Sequence, residues 1–225
     1  IAQADLLRIT RGTGEAKAFI LAAIQEIPQS PALHHWLGTY YRQIGQTDLA
    51  LESFAKAIEL EPTFIEAYFA SAELNRMLGD SDRATSVLDQ ARNVNPLSAD
   101  VMLTFAEHHQ YLGEGSDAEA ILISGSEIHP TDARFKIRLG SFYQQRGEFE
   151  RAEEYFLRAL QVSPNESQAH IAYGNFLAER GKIAQAAERF QTAISLDEGE
   201  REAVLAAYEF YIAENDFQSA QALLE

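Results

Sequence analysis

The chain has 225 residues, and with 46% hydrophobic and 10% aromatic side chains it can bury a substantial core. Its formal net charge of -16 repels phosphate backbones and anionic lipid surfaces, so neither nucleic acid nor a membrane is expected as a partner. The lack of cysteine excludes a disulfide framework, a thiolate zinc site and a cysteine nucleophile.

The composition suits two locations for the protein. A chain without cysteine tolerates the cytoplasm and, if a signal peptide was removed, the bacterial envelope. Ile1 stands first in place of Met, which is typical of a processed chain or of a fragment. No apolar run reaches the roughly 20 residues that cross a bilayer, so membrane insertion is not predicted.

Proline and small residues recur with a spacing of 34 residues along the chain. The prolines in this phase are Pro28, Pro62, Pro96, Pro130 and Pro164. An unbroken alanine series has the same spacing: Ala16, Ala50, Ala84, Ala118, Ala152, Ala186 and Ala220. Bulky apolar residues follow four positions later, at Ile20, Phe54, Leu88, Leu122, Phe156, Phe190 and Leu224. Small and large residues at this separation form one helical face that a neighbouring helix can approach closely. The pattern therefore predicts a helix at this place in each period, which we call helix B because another helix precedes it.

Another helix, helix A, is predicted upstream of each helix B from apolar patterns such as Leu37, Gly38 and Tyr41. Glycine can adopt the left-handed conformation that closes a helix, and it occurs after helix A at Gly45, Gly79, Gly113, Gly147 and Gly181. Asn215 takes this place in the sixth period, and asparagine tolerates the conformation best after glycine. The proline after helix B ends that helix. Each period is therefore predicted to contain two helices joined by a turn, followed by a break before the next period.

Helix B of the third period contains a run of poor helix formers. Gly125 lies among Ile123, Ser124 and Ser126, and one glycine costs about 1 kcal/mol relative to alanine inside a helix. We expect a soft joint at this point of the chain.

From Pro31 onwards, the sequence resembles a tetratricopeptide repeat. The matching signature residues are Leu37, Gly38, Tyr41, Gly45, Ala50, Phe54, Ala57 and Pro62, and His34 replaces the aromatic residue that usually opens helix A. The resemblance implies an all-α, right-handed α-solenoid of stacked antiparallel helix hairpins. It predicts one domain over residues 1–225, with full repeats at 31–64, 65–98, 99–132, 133–166 and 167–200 and partial repeats at 1–30 and 201–225.

The resemblance also implies that helix A lines an inner, concave groove with its second, fifth, sixth, ninth, twelfth and thirteenth positions. The candidate partner-binding residues at such positions are Glu66, Phe69, Glu73, Arg76, Asp100, Leu103, Glu107, Arg134, Ile137, Arg138, Ile171 and Leu205. Those at the fifth position form an apolar ladder: Phe69, Leu103, Ile137, Ile171 and Leu205. The flanking residues are mostly acidic in the second and third repeats and basic in the fourth.

Two interpretations of these residues are open. In the first, the groove binds an extended or helical peptide whose apolar residues contact the ladder and whose basic residues lie over the acidic section. In the second, the ladder residues pack against adjacent helices, and the acidic residues only increase solubility.

The function predicted from these features is a non-enzymatic scaffold or adaptor that binds a protein or peptide. One alternative is a structural segment that forms homo-oligomers through its C-terminal edge, where Leu223 and Leu224 lie. Another is the regulatory portion of a larger enzyme or of a bacterial envelope or secretion machine. No nucleophile, base and orienting group are brought together by the repeat, so no catalytic site and no cofactor are expected.

The histidine pairs His34-His35 and His108-His109 do not predict a metal site. Adjacent residues on a helix point about 100° apart, whereas the helical zinc signature places histidines four residues apart. We interpret these side chains as core or surface histidines. Those of the acidic third repeat would change charge near pH 6.

Overall fold

The structure, a computed structural model, describes residues 13–196 and 201–224. These residues form 13 α-helices. They are α1 (Thr13–Glu26), α2 (Pro31–Gln43), α3 (Thr47–Leu60), α4 (Ile65–Met77), α5 (Ser81–Val94), α6 (Ala99–Tyr111), α7 (Gly115–Ile128), α8 (Ala133–Gln145), α9 (Phe149–Val162), α10 (Ser167–Glu179), α11 (Ile183–Leu196), α12 (Glu202–Ala213) and α13 (Phe217–Ala222). Residues 1–12 of the predicted first partial repeat, and 197–200 of the fifth repeat, lie outside the described part.

The chain comprises two compact units, residues 1–114 and 115–225. Within unit 1 each helix packs against the next in chain order, from α1 and α2 to α5 and α6, and α2 also contacts α4. Within unit 2 the same order holds from α7 and α8 to α12 and α13, and α10 contacts both α8 and α12. The predicted all-α architecture of packed helix pairs is confirmed, whereas the single domain over the whole chain stays a prediction.

The predicted helix ends are also confirmed. Backbone φ is positive, between 70° and 79°, at Gly45, Gly79, Gly113, Gly147 and Gly181, and it is 59° at Asn215. At the end of α2, the Gly45 N–H donates to the Arg42 carbonyl and the Gln46 N–H to the Tyr41 carbonyl. These bonds use helix carbonyls that have no partner within the helix, so the turn into the following helix is fixed locally.

The core lies along the helix faces that the 34-residue spacing predicts. The seven alanines of the series are at most 2% exposed. The bulky residues of the next series are also buried, except that Leu224 lies beyond α13 and is 70% exposed. Small residues let the helices approach so closely that an ideal Cβ on Gly38 would lie 2.5 Å from Cε1 of Phe54.

Gly125 lies inside α7, which continues through it from Gly115 to Ile128. An ideal Cβ at this position would lie 2.1 Å from Cε1 of Phe135 in α8. Close packing of α7 on α8 therefore requires a residue without a side chain. The sequence predicted a soft joint here, and that expectation concerns dynamics and stays a prediction.

A hydrogen bond at the start of helix A was not anticipated from the sequence. Four side chains at the fourth position donate to the carbonyl of the proline six residues earlier: His34 to Pro28 at 3.1 Å, Tyr68 to Pro62 at 3.0 Å, Lys136 to Pro130 at 2.9 Å and His170 to Pro164 at 2.9 Å. The bond satisfies a backbone acceptor at the turn between repeats. His34 thus fits the position because a ring N–H can replace a phenol as the donor.

Candidate protein-binding surface

Within unit 1, ion pairs join the three helices A, which are α2, α4 and α6. Nη1 of Arg42 lies 2.5 Å from Oε2 of Glu73, and Nη1 of Arg76 lies 3.6 Å from Oε1 of Glu107. In both pairs the arginine is the twelfth residue of one repeat and the glutamate the ninth of the next. Three of the predicted groove residues, Glu73, Arg76 and Glu107, thus lie on one surface. We call the surface that α2, α4 and α6 share on this side the A surface of unit 1.

The other predicted groove residues of unit 1 belong to the same two helices, α4 and α6. Glu66 and Asp100 are exposed in the first turns of these helices, where the helix dipole favours a negative charge. Phe69 and Leu103 lie three residues further along and are half-buried. Phe69 packs against the cluster that contains Tyr68. The apolar ladder of unit 1 therefore has one side in the core and one side towards solvent.

The ion pairs change the expected charge of this surface. Glu73 and Glu107 were predicted to attract a basic partner, but each already faces an arginine of the preceding repeat. An exposed pair of this kind contributes only about 0–1 kcal/mol to stability, yet its two charges largely cancel at a distance. The two arginines consequently reduce the negative charge that Glu73 and Glu107 present on this surface.

In unit 2 the predicted site residues differ in accessibility. Ile137 and Ile171 are only 8% and 5% exposed, so they offer little apolar surface to a partner, whereas Leu205 is 56% exposed. Arg134 is exposed, and its Nη2 lies 2.6 Å from Oδ2 of Asp132. Arg138 is exposed on the same helix, α8. The fifth-position ladder is thus a pattern in the sequence whose members lie in different environments.

Some exposed apolar residues of the A surface were missing from the predicted set. Met77 and Tyr111 occupy the thirteenth position of their repeats, and Leu78 follows Met77. Their relative exposures are 71%, 55% and 52% for Met77, Tyr111 and Leu78. The thirteenth position was already among those expected to face the groove, so the same positional argument could have identified Met77 and Tyr111.

Two histidines of unit 1, His35 and His108, pack against other side chains. The His35 ring lies 5.6 Å from the ring centres of both Phe54 and Phe64, and burial lowers its pKa. His108 is fully buried, and its Nε2 lies 2.7 Å from Oγ1 of Thr85. Because the Thr85 hydroxyl donates to the Ser81 carbonyl, the His108 Nε2–H must be the donor in this contact. Burial is the main cause that lowers the pKa of His108.

Every helix in the described part of the chain is too short or too polar to cross a lipid bilayer.

Family models and solved structures give one consistent comparison. Two models of the tetratricopeptide repeat match residues 31–64 and 103–166. The model of the middle TPR-like domain of cilia and flagella-associated protein 70 matches residues 137–225. A search of curated proteins found no match.

Similar solved structures cover most of the chain. Yeast Tom70 is 17% identical with a TM-score of 0.74, and the alignment covers 95% of this chain and 47% of that protein. A tetratricopeptide repeat protein from Parabacteroides merdae is 18% identical with a TM-score of 0.66, over 99% of this chain and 88% of that one. PilF of Pseudomonas aeruginosa is 19% identical with a TM-score of 0.57, and the alignment covers 86% of this chain and 88% of that one.

At these identities the structural likeness shows the fold alone. The fold, the 34-residue spacing and the matching repeat models agree with one another. The chain belongs to the tetratricopeptide repeat proteins.

Proposed function

We propose that this protein is a non-enzymatic scaffold that binds a peptide or helix of a partner protein on the A surface of unit 1. Tetratricopeptide repeat domains generally mediate protein–protein interaction, and the matching family models are all repeat modules. The fold by itself does not select a partner, so the proposal depends on the side chains of this surface.

The observation that carries the proposal is the repetition of exposed acidic groups and half-buried apolar groups on adjacent helices. Glu66 and Asp100 occupy one position in successive repeats, and the half-buried Phe69 and Leu103 occupy another. An apolar strip beside a charged one is the usual composition of a surface that binds an amphipathic segment. The ion pairs of Arg42 and Arg76 link the helices that would lie beneath such a segment.

The partner segment should contain apolar residues together with Lys or Arg. Apolar side chains would bury surface against Phe69 and Leu103, and basic side chains would lie near Glu66 and Asp100. With a net charge of -16, long-range electrostatics favours such a segment and disfavours nucleic acid.

Selection from a random peptide library on the full chain tests this proposal. Selected peptides should be enriched in apolar and basic residues, and fluorescence anisotropy should show at least tenfold weaker binding to the double variant Phe69→Ser, Leu103→Ser. Leu205→Ser is the matched control, because Leu205 occupies the same fifth position in unit 2 and is exposed. Circular dichroism checks that each variant keeps its helix content.

Two results would count against this function. Peptides without basic residues would remove the electrostatic part of the argument. Unchanged affinity of the selected peptides for the folded double variant would place their binding site elsewhere on the chain.

A further inference from the structure

The C-terminal ends of α4 and α6 form an exposed apolar edge on unit 1. We call Met77, Leu78 and Tyr111 the rim of unit 1; they are among its most exposed large apolar side chains. The guanidinium of Arg76 lies 5.6 Å from the Tyr111 ring centre, so the end of α4 lies beside the end of α6. The rim residues therefore belong to two adjacent helix ends.

The repeat fold does not require apolar residues at these positions. The thirteenth and fourteenth residues of the fourth and fifth repeats are Gln145, Arg146, Glu179 and Arg180. These four residues end α8 and α10 of unit 2 and are exposed there. Helix A thus ends equally well with polar residues, and core packing does not explain the apolar rim of unit 1.

The Tyr111 ring is held in place before any partner binds. Arg76 lies close to the face of the ring and also pairs with Glu107 on the same helix as Tyr111. A cation close to an aromatic face contributes about 0.5–1 kcal/mol at an exposed site. Restriction of the ring in the free protein lowers the entropy that binding would cost.

Acidic groups lie directly beside the rim. Leu78, Asp80 and Asp82 line one shallow depression at the turn between α4 and α5. Asp80 caps α5 by accepting from the Arg83 N–H, and its Oδ2 lies 3.2 Å from Nε of Arg83, which offsets its charge; Asp82 is exposed in the first turn of that helix. Glu114 is exposed just beyond Tyr111, and its Oε2 lies 2.6 Å from Nδ1 of His109. A partner that covers the rim therefore meets the carboxylate of Asp82 at the border next to Leu78.

The dimensions of the A surface separate the rim from the acidic first turns. Glu66 and Met77 are eleven residues apart on α4, which corresponds to about 16 Å along the helix axis. A helix with its side chains is about 10–12 Å wide, so one partner helix lying across α4 and α6 cannot cover both ends. The rim side chains are exposed, whereas Phe69 and Leu103 are half-buried. A partner therefore buries more apolar area, and gains more free energy, on the rim than on Phe69 and Leu103.

We propose that the rim of unit 1 anchors an amphipathic helical segment of a partner protein. Its apolar stripe packs on Met77, Leu78 and Tyr111, and a flank of Lys or Arg lies over Asp82. This inference rests on the proposed function of the A surface as a protein-binding surface, and it adds a second contact at the end of that surface away from Glu66 and Asp100.

The two methionines of the chain, Met77 and Met102, allow a direct test. The probe is a synthetic amphipathic helix of leucine and lysine, titrated into the full chain labelled with 13C at the methionine methyl groups. We expect the Met77 methyl resonance to shift. The resonance of the half-buried Met102, the fourth residue of α6, should stay in place. An unchanged Met77 resonance at saturating peptide would overturn the inference.

Two control peptides separate the anchor from general electrostatic attraction. A scrambled peptide keeps the lysines and loses the apolar stripe, and a second peptide keeps the stripe and carries glutamate in place of lysine. Both should bind at least tenfold more weakly than the original peptide. Equal affinity of the scrambled peptide would refute the apolar anchor, and equal affinity of the glutamate peptide would refute the basic flank.

Variants connect the binding to the named residues. Met77→Gln with Tyr111→Gln should weaken binding of the leucine-lysine peptide at least tenfold, and both changes are at exposed sites that folding tolerates. Gln145→Ala with Glu179→Ala changes the same repeat positions in unit 2 and should have no effect. Affinity unchanged by the rim variant would overturn the inference.

The outcome for the proposed function is distinguishable. If Phe69→Ser with Leu103→Ser abolishes peptide binding while the rim variant binds normally, the proposed function stands and the rim inference fails. If neither double variant weakens binding, both proposals fail.

Discussion

At the residue scale, certain positions of the repeat have the same backbone conformation or the same hydrogen bond in several repeats. Asn215 adopts the positive φ that glycine adopts in the other turns, because its short polar side chain tolerates this region better than other non-glycine residues do. His170 and Lys136 donate to proline carbonyls as Tyr68 does, although the three side chains differ in charge and shape. The backbone conformation or hydrogen bond required at a position thus limits which residue types can occupy it.

Gly125→Ala is expected to destabilise the protein even though alanine is the better helix former. The gain in helix propensity is about 1 kcal/mol, whereas the added methyl group would overlap the Phe135 ring and force repacking that costs about 1–3 kcal/mol. Urea unfolding should show a lower midpoint with an unchanged slope. Gly115→Ala is the control, since its nearest contact would be 3.4 Å from Nη1 of Arg146. A more stable Gly125→Ala variant would show that Phe135 can move and would favour the soft-joint interpretation.

His108 should make the stability of the protein depend on pH. Burial, with Arg76 and His109 nearby, holds its pKa in the folded state below the ordinary value of 6.5. On acidification the unfolded chain therefore takes up the proton first, and the free energy of unfolding falls as pH drops from about 6.5 towards the lowered folded pKa. Urea midpoints measured between about pH 7 and about pH 5.5 should decline.

The variant His108→Gln isolates this contribution. Glutamine keeps an N–H that can donate to Thr85, and it does not titrate. The urea midpoint of the variant should therefore decline less than that of the original chain over the same pH range. His35, whose pKa burial also lowers, stays in both proteins and cancels in the comparison. Equal slopes for the variant and the original chain would refute the role of His108.

At the scale of helices, two kinds of polar link join successive repeats. The Arg76–Glu107 pair connects α4 to α6 on an exposed surface. In unit 2 the Tyr143 hydroxyl, whose ring is fully buried, donates to Oε1 of Glu119 at 2.5 Å and accepts from Nη2 of Arg151 at 2.5 Å. This network joins α7, α8 and α9, and burial together with Glu119 raises the pKa of Tyr143. Tyr143 is the buried member of this network, so removing its hydroxyl removes two hydrogen bonds that are shielded from water on the Tyr143 side.

Tyr143→Phe should accordingly cost more stability than Arg76→Gln. Loss of the hydroxyl removes two hydrogen bonds to charged groups, although Arg151 stays 3.3 Å from Glu119, and we expect a cost of about 1–3 kcal/mol; the exposed pair contributes about 0–1 kcal/mol. Thermal or urea unfolding of both variants measures the difference. Tyr111→Phe, at an exposed ring of unit 1, controls for loss of a hydroxyl. A smaller loss for Tyr143→Phe than for Arg76→Gln would contradict this ranking.

At the scale of the whole molecule, the repeat gives equivalent positions different surroundings. Phe69 and Leu103 are half-buried, Ile137 and Ile171 are buried, and Leu205 is exposed, although all five are apolar and occupy the same position. A regular spacing predicts which side of a helix a residue occupies. Its accessibility depends on the neighbouring residues that cover it, and these differ between repeats.

The sequence by itself determined the helices, their ends and their stacking faces. Gly45 and Asn215 close helices through local backbone preferences, and the alanine series marks the contact face wherever it occurs, so no knowledge of distant residues is needed. The positional rule also selected Glu73, Arg76 and Glu107 as members of one surface, which the structure brings together in unit 1.

Only the tertiary structure decided which of these residues can meet a partner. It paired Glu73 with Arg42, buried Ile137 and left Met77 and Tyr111 exposed. Charge cancellation and solvent accessibility depend on side chains from other repeats, about 34 residues away in sequence and adjacent in space. The physical reason is that helix propensity and capping act over a few residues, whereas burial and ion pairing depend on packing between helices.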